Sequence, residues 1–112
     1  MVIGEGDLVG KPIYYYLTKK GSDVKIISNY EGDEKIDCDV LVLSAGVPNL
    51  VRGENISDGC NVVDFGSSVL DGKCIGDLDI SSSLDYLGYI SKSPGGMGPL
   101  VVRYLLLNFL NQ

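Results

Sequence analysis

The opening ten residues, MVIGEGDLVG, constrain this chain more than any other stretch. A short apolar run, Met1-Val2-Ile3, leads straight into Gly4-Glu5-Gly6-Asp7-Leu8-Val9-Gly10, a G-x-G-x-x-x-G spacing, and a helical pattern follows from about Gly10. Strand, glycine-rich turn and helix in that order form a physical device for holding a pyrophosphate. Gly4 permits the tight turn, Gly6 lets the backbone approach the ligand, and Gly10 lets the helix pack close to the sheet with its N-terminus toward the phosphates. The same glycines also suit a strand-to-helix turn that binds nothing, so both readings stand at this point. The helix carries its own end signals: Pro12 in the first turn, Lys19 and Lys20 in the last, and Gly21 just beyond.

Downstream, short β-branched runs alternate with turn residues. Residues 23–28 (DVKIIS) predict a second strand, 29–37 a loop or a short, poorly formed helix, and 40–43 (VLVL) a third strand buried on both faces. A turn at 44–48 (SAGVP) ends it. Residues 61–65 (NVVDF) predict a fourth strand, 66–76 a turn-rich excursion, 89–90 a short fifth strand, and 99–110 a closing helix that is apolar nearly all round. Such alternation predicts an α/β, Rossmann-like three-layer fold, with a mostly parallel sheet of about five strands flanked by helices, as a single domain over residues 1–112. On the first helix Tyr16 shares a face with Ile13 and Leu17 and is expected in the core, with Tyr14 and Tyr15 covering a flank or a partner surface.

Charge and composition exclude several functions. Fifteen acidic against nine basic side chains give a formal charge of -6, with the bases scattered, so no nucleic-acid surface is expected. The absence of histidine removes the commonest general base and zinc ligand. Cys38, Cys60 and Cys74 are odd in number and lack a C-x-x-C spacing, which predicts reduced, structurally buried thiols in a cytoplasmic protein. No leader pattern is visible, and the longest apolar stretch, near 105–107, is far too short to span a membrane. Asp77 and Asp79 are too few ligands for a metal and are expected to serve a turn or cap. The glycines of two loops at strand ends, Gly46 and Gly66, could bring backbone amides against a ribose or nicotinamide, or simply punctuate turns.

The segment Gly4-Glu5-Gly6-Asp7-Leu8-Val9-Gly10-Lys11-Pro12 resembles the G-R-S-x-x-V-G-x-P cofactor loop of the bifunctional methylenetetrahydrofolate dehydrogenase/cyclohydrolases. The resemblance continues in order through VLVLSAGVP (40–48), NVVDFG (61–66), GKCIGDLD (72–79) and YISKSPGGMGP (89–99). The last is the most specific, and together these motifs cover almost the whole chain. The resemblance implies an NAD(P)-binding domain of folate one-carbon metabolism, serving hydride transfer from 5,10-methylenetetrahydrofolate. Gly4, Glu5 and Gly6 would lie near the pyrophosphate and ribose, Gly46 and Ser67 near the nicotinamide, and Ser93, Pro94, Gly95 and Gly96 beside the folate. It also implies a homodimer, which the apolar closing helix and the short first strand independently favour.

Departures from the pattern qualify those expectations. The family's N-terminal domain, which carries a Y-x-x-x-K pair and an aspartate for the proton chemistry, has no counterpart in these residues. No catalytic residue is therefore assigned, and a separate catalytic domain would have to supply both that chemistry and the folate. Glu5 stands where the family has arginine, Gly6 where it has serine, and Asn29 where a serine helps hold the 2′-phosphate of NADP. A carboxylate in place of a guanidinium turns attraction into repulsion, on the order of 1–3 kcal/mol when partly shielded. NAD is thus expected over NADP, with Glu5 or Asn29 accepting from the ribose 2′-OH. The alternative is an interaction module that kept the fold and binds no cofactor. Lys92 is expected to be a solvated loop lysine.

Overall fold

The structure, a computed structural model, describes residues 1–91. The expected closing helix at 99–110, Lys92 and the candidate folate-side residues Ser93, Pro94, Gly95 and Gly96 lie outside the described residues.

A five-stranded parallel sheet organises the domain. Its strands are β1 (Val2–Ile3), β2 (Ile26–Ile27), β3 (Val40–Leu43), β5 (Asn61–Asp64) and β9 (Ile90–Ser91), in the spatial order β2-β1-β3-β5-β9. Val2, Ile3, Leu41, Leu43 and Val62 are essentially sealed from solvent, each contributing about 1.5–3 kcal/mol by burial. The expected third strand holds over its full length, with Val40 at its start half exposed. The second is shorter than 23–28 because its sheet partner β1 has only two residues to pair, Val2 with Ile26 and Ile3 with Ile27.

Helix α1 (Gly10–Lys19) closes as its sequence predicts. Gly21 takes a φ of +91°, its N–H reaches Thr18 O at 3.0 Å, and the Ser22 N–H reaches Leu17 O at 3.1 Å, which is the Schellman arrangement. Tyr16 corrects the expectation of a core residue: it is 61% exposed, with Lys20 Nζ 5.6 Å from its ring centre. The helix seam runs through Gly10, Ile13 and Leu17 at spacings of three and four, and Tyr16 lies one residue off it.

Several smaller elements were not expected. The 66–76 excursion contains an antiparallel hairpin, β6 (Ser68–Leu70) with β7 (Lys73–Ile75), turned at Asp71-Gly72, both at positive φ. That D-G pair is the backbone signature of a two-residue hairpin. Residues 29–37 form no helix; Ile36 instead makes an isolated parallel bridge to Ile56. A short parallel pair, β4 (Val51–Arg52) with β8 (Leu78–Asp79), draws the segment after β3 against the segment after the hairpin. The fifth strand falls one residue later than predicted.

Candidate functional site

From β1 the chain moves outward to β2 and then returns past β1 to β3, so the strand order reverses between β1 and β3. At that reversal, beyond the C-terminal strand ends, lies a crevice of about 230 Å³ lined by Ile3, Gly4, Glu5, Gly6, Ser28, Tyr30, Ser44, Ala45, Val47 and Leu50. Open parallel sheets bind ligands at this place. The volume is below the roughly 300–1,000 Å³ of complete small-molecule sites, which suits a segment of a dinucleotide. A larger cavity of about 620 Å³ lies at the opposite, N-terminal edge of the strands, between Leu17, Lys25, Cys38 and Val40. It shares no lining residue with the crevice at the glycine loop.

Each glycine of the loop has a different physical reason. Gly4 has a φ of +111°, and a Cβ there would stand 2.5 Å from the Ser44 carbonyl. A Cβ on Gly10 would stand 1.9 Å from Gly4 O, so the helix touches the strand turn only because both residues lack side chains. Gly6 has no heavy atom within 4 Å of its Cβ position. Gly4 and Gly10 thus serve the fold, and Gly6 leaves the open space that a close-approaching ligand requires. Glu5 is exposed on the crevice wall, and the two ion pairs among the described residues, Lys11–Asp7 and Arg52–Glu54, do not involve it. Asn29 is exposed beside the crevice, between the lining residues Ser28 and Tyr30.

The far wall is the 44–48 turn, held by groups that sequence reasoning missed. Asp77 is fully buried, and its Oδ2 accepts from the Ala45 N–H at 2.8 Å and the Gly46 N–H at 3.2 Å. Its Oδ1 has no hydrogen-bond partner among the described residues and packs against Gly66, where a Cβ would approach it to 2.2 Å. Asp64, also buried, accepts from the N–H groups of Gly66 at 2.8 Å, Asp77 at 3.3 Å and Leu78 at 3.0 Å. Desolvation raises both carboxyls above the ordinary aspartate value, while these backbone donors pull the other way. The amides of Gly46 and Gly66 are therefore committed to aspartates inside the protein, and of the two readings given for these glycines it is the turn role that these hydrogen bonds serve. Asp79 takes the expected turn role, accepting from the Ser81 N–H and Oγ.

Gly46 and Ser67 are not in the crevice lining. The Ser67 hydroxyl sits 3.1 Å from Cys74 Sγ, and Ser68 Oγ donates to Gly46 O at 3.1 Å, fastening the hairpin to the turn. The pairing of Asp77 with residues more than thirty positions earlier leaves no local pattern; the only signal was the position of GDLD after a strand-like run. Among the described residues no group of three or more potential metal ligands occurs, and no helix is long and apolar enough to cross a membrane.

A parallel sheet with this reversal, a glycine turn feeding a helix, and an open crevice above both define a Rossmann-type dinucleotide-binding domain. Residues 1–112 match the family described as tetrahydrofolate dehydrogenase/cyclohydrolase, NAD(P)-binding domain, and the chain belongs to that family. It is 35% identical over 111 residues to the bifunctional protein FolD of Halothermothrix orenii, covering 96% of this chain and 39% of that protein. To FolD of Dechloromonas aromatica it is 38% identical over 112 residues, covering 96% and 39%. Among solved structures it resembles the Campylobacter jejuni enzyme FolD, methylenetetrahydrofolate dehydrogenase/cyclohydrolase (TM-score 0.85, 31% identity, 96% of this chain and 39% of that one). The Trypanosoma brucei enzyme, solved with NADP cofactor and an inhibitor, gives a TM-score of 0.82 at 30% identity, covering 97% and 41%. The chain thus spans about 40% of the length of the relatives it matches.

Proposed function

We propose that this chain is the nucleotide-binding half of a methylenetetrahydrofolate dehydrogenase/cyclohydrolase-type oxidoreductase, acting with a separate catalytic domain in the cytoplasm. The observation that carries the reading is the crevice at the strand reversal, floored by Gly4 and open above Gly6. Gly4, Glu5 and Gly6 would hold the pyrophosphate and adenosine ribose, with the Asp77-braced turn at 44–48 as the opposite wall. When bound, the nicotinamide supplies the hydride acceptor for 5,10-methylenetetrahydrofolate. The protein's own contribution is to bind, orient and shield it. The Gly46 and Ser67 neighbourhood and residues 93–96 would border the nicotinamide and the folate.

The cofactor is NAD in preference to NADP. Glu5 lines the crevice without an ion-pair partner among the described residues, and a 2′-phosphate beside it meets repulsion on the order of 1–3 kcal/mol. That corresponds to about 5- to 150-fold in affinity. Glu5 or Asn29 would accept from the 2′-OH of NAD. Self-association into a homodimer is supported by the exposed apolar side chains Leu8, Val69 and Tyr89.

The test is a thermal-shift titration of the chain with NAD and NADP, followed by calorimetry. Saturation at a hundred times Kd adds about 2.7 kcal/mol of stability, a shift of several degrees for a domain of this size. NAD binding tighter than NADP supports the assignment, and tighter NADP binding refutes the role given to Glu5. No shift with either cofactor at millimolar concentration supports the second reading, an interaction module, which the Glu5 carboxylate on the crevice wall, without an ion-pair partner among the described residues, favours.

A further inference from the structure

At the edge of the sheet opposite the crevice, two thiols face one another. Cys38 Sγ and Cys60 Sγ are 3.8 Å apart although 22 residues separate them in sequence. Their backbones are held by one residue. The Ser57 hydroxyl donates to Cys38 O at 3.0 Å and accepts from the Cys38 N–H at 3.3 Å, and Ser57 O accepts from the Cys60 N–H at 3.3 Å. The next residues continue the alignment, since the Asn61 N–H donates to Asp39 O at 2.9 Å at the start of the β3–β5 ladder. The pair is therefore held in contact by the sheet register, and a disulfide requires the sulfurs to close from 3.8 Å to about 2.0 Å.

The two sulfurs differ in access. Cys60 is 1% exposed, and burial pushes its thiol up to about 12. Cys38 is partly exposed and lines the 620 Å³ cavity. Cys74 has no thiol partner, its sulfur resting against Ser67.

We propose that Cys38 and Cys60 form a redox-responsive dithiol, oxidised to an intramolecular disulfide by a peroxide, with Cys38 as the sulfur that attacks the peroxide arriving from solvent and Cys60 as the resolving one. In the first step the Cys38 thiol sulfur takes one peroxide oxygen, giving a sulfenic acid and one water. In the second the Cys60 sulfur bonds to Cys38 and displaces hydroxide, which leaves as water with the Cys60 proton. Two thiols lose two electrons in all, the peroxide gains two, and a thiol reductant reverses the change. The bridge would clasp the starts of β3 and β5 without reaching the cofactor crevice.

The experiment uses the full chain carrying Cys74→Ser, which keeps both core thiols in place. The reduced protein is treated with hydrogen peroxide near stoichiometry and digested with trypsin under non-reducing conditions. Cleavage after Lys35, Arg52 and Lys73 puts Cys38 and Cys60 on separate peptides. The expected result is a monomer lighter by two hydrogens, with peptides 36–52 and 53–73 joined, restored by dithiothreitol and melting several degrees higher when oxidised. A Cys38→Ser change in the same background should abolish the link. Free thiols after treatment, a Cys38 sulfinic acid with no linked peptide, or disulfides only between chains would each overturn the proposal.

Discussion

Replacing Asp77 tests whether a buried carboxylate holds the crevice wall. Asp77→Ala removes the acceptor of two N–H groups, those of Ala45 at 2.8 Å and Gly46 at 3.2 Å. An unsatisfied buried donor costs about 1–3 kcal/mol, giving roughly 2–6 kcal/mol for the pair. Two effects reduce this. The turn is only part-buried, so water reaches it, and the carboxylate takes its own desolvation penalty away with it. The expected net loss is about 2–3 kcal/mol. Asp77→Asn keeps an oxygen for the same two donors and removes the charge, so it should cost less than about 1 kcal/mol. Urea unfolding followed by circular dichroism reads both changes, the alanine variant moving the midpoint by about 1–2 M at unchanged slope. An alanine variant within about 0.5 kcal/mol of wild type, or an asparagine variant as weak as alanine, would refute the idea that hydrogen-bond acceptance fixes the turn.

The glycines of the loop should separate fold from site. Gly10→Ala, whose Cβ meets the Gly4 carbonyl, should lose about 1–3 kcal/mol or more in the same unfolding assay. Gly6→Ala should stay within about 0.5 kcal/mol of wild type while weakening dinucleotide binding by calorimetry; full binding would remove Gly6 from the site. Asp64 and Asp77 are raised above 3.8, so the folded chain holds their protons more tightly than the unfolded one. Their contribution is complete below that value and is lost as pH rises through the folded values, and Asp77→Asn should flatten this decline in melting temperature. Cys60 follows the same sign at the alkaline end, its share being lost as pH climbs from 9.0 toward about 12, which melting of Cys60→Ala beside wild type would reveal.

What could be read from the sequence depended on how local its cause was. The Gly4–Gly10 turn, the Gly21 cap and the 40–43 strand rest on neighbours within a few residues, and each forms where its pattern predicts. The length of β2 depends on its sheet partner, and its own run of apolar residues could not limit it. Tyr16, expected on a face with Ile13 and Leu17, is next to Leu17 in sequence and so stands one residue round the helix from the Gly10–Ile13–Leu17 seam, which leaves it exposed. Asp71-Gly72 is a local hairpin signal, but it lies inside the 66–76 stretch, which was expected only to be rich in turns. The crevice wall was hidden for the opposite reason: Asp64 and Asp77 act on segments brought near by the sheet and the β4–β8 pair. No spacing rule reaches that far.

The shortness of β1 bears on the order in which the domain assembles. This strand pairs on both sides through two residues each, with partners far downstream, while β3 and β5 share a four-residue ladder. Long loops must close before β1 gains any reward, so the β3–β5 ladder is the natural nucleus and β1 docks afterward. Local opening runs along the same path in reverse. Amide exchange should therefore be fastest among the sheet strands at Val2, Gly4 and Val42, whose N–H groups bond across the two β1 seams, that of Val42 to Met1 O, and slowest at Val63 inside the β3–β5 ladder, so the glycine turn can come loose while the rest of the sheet persists.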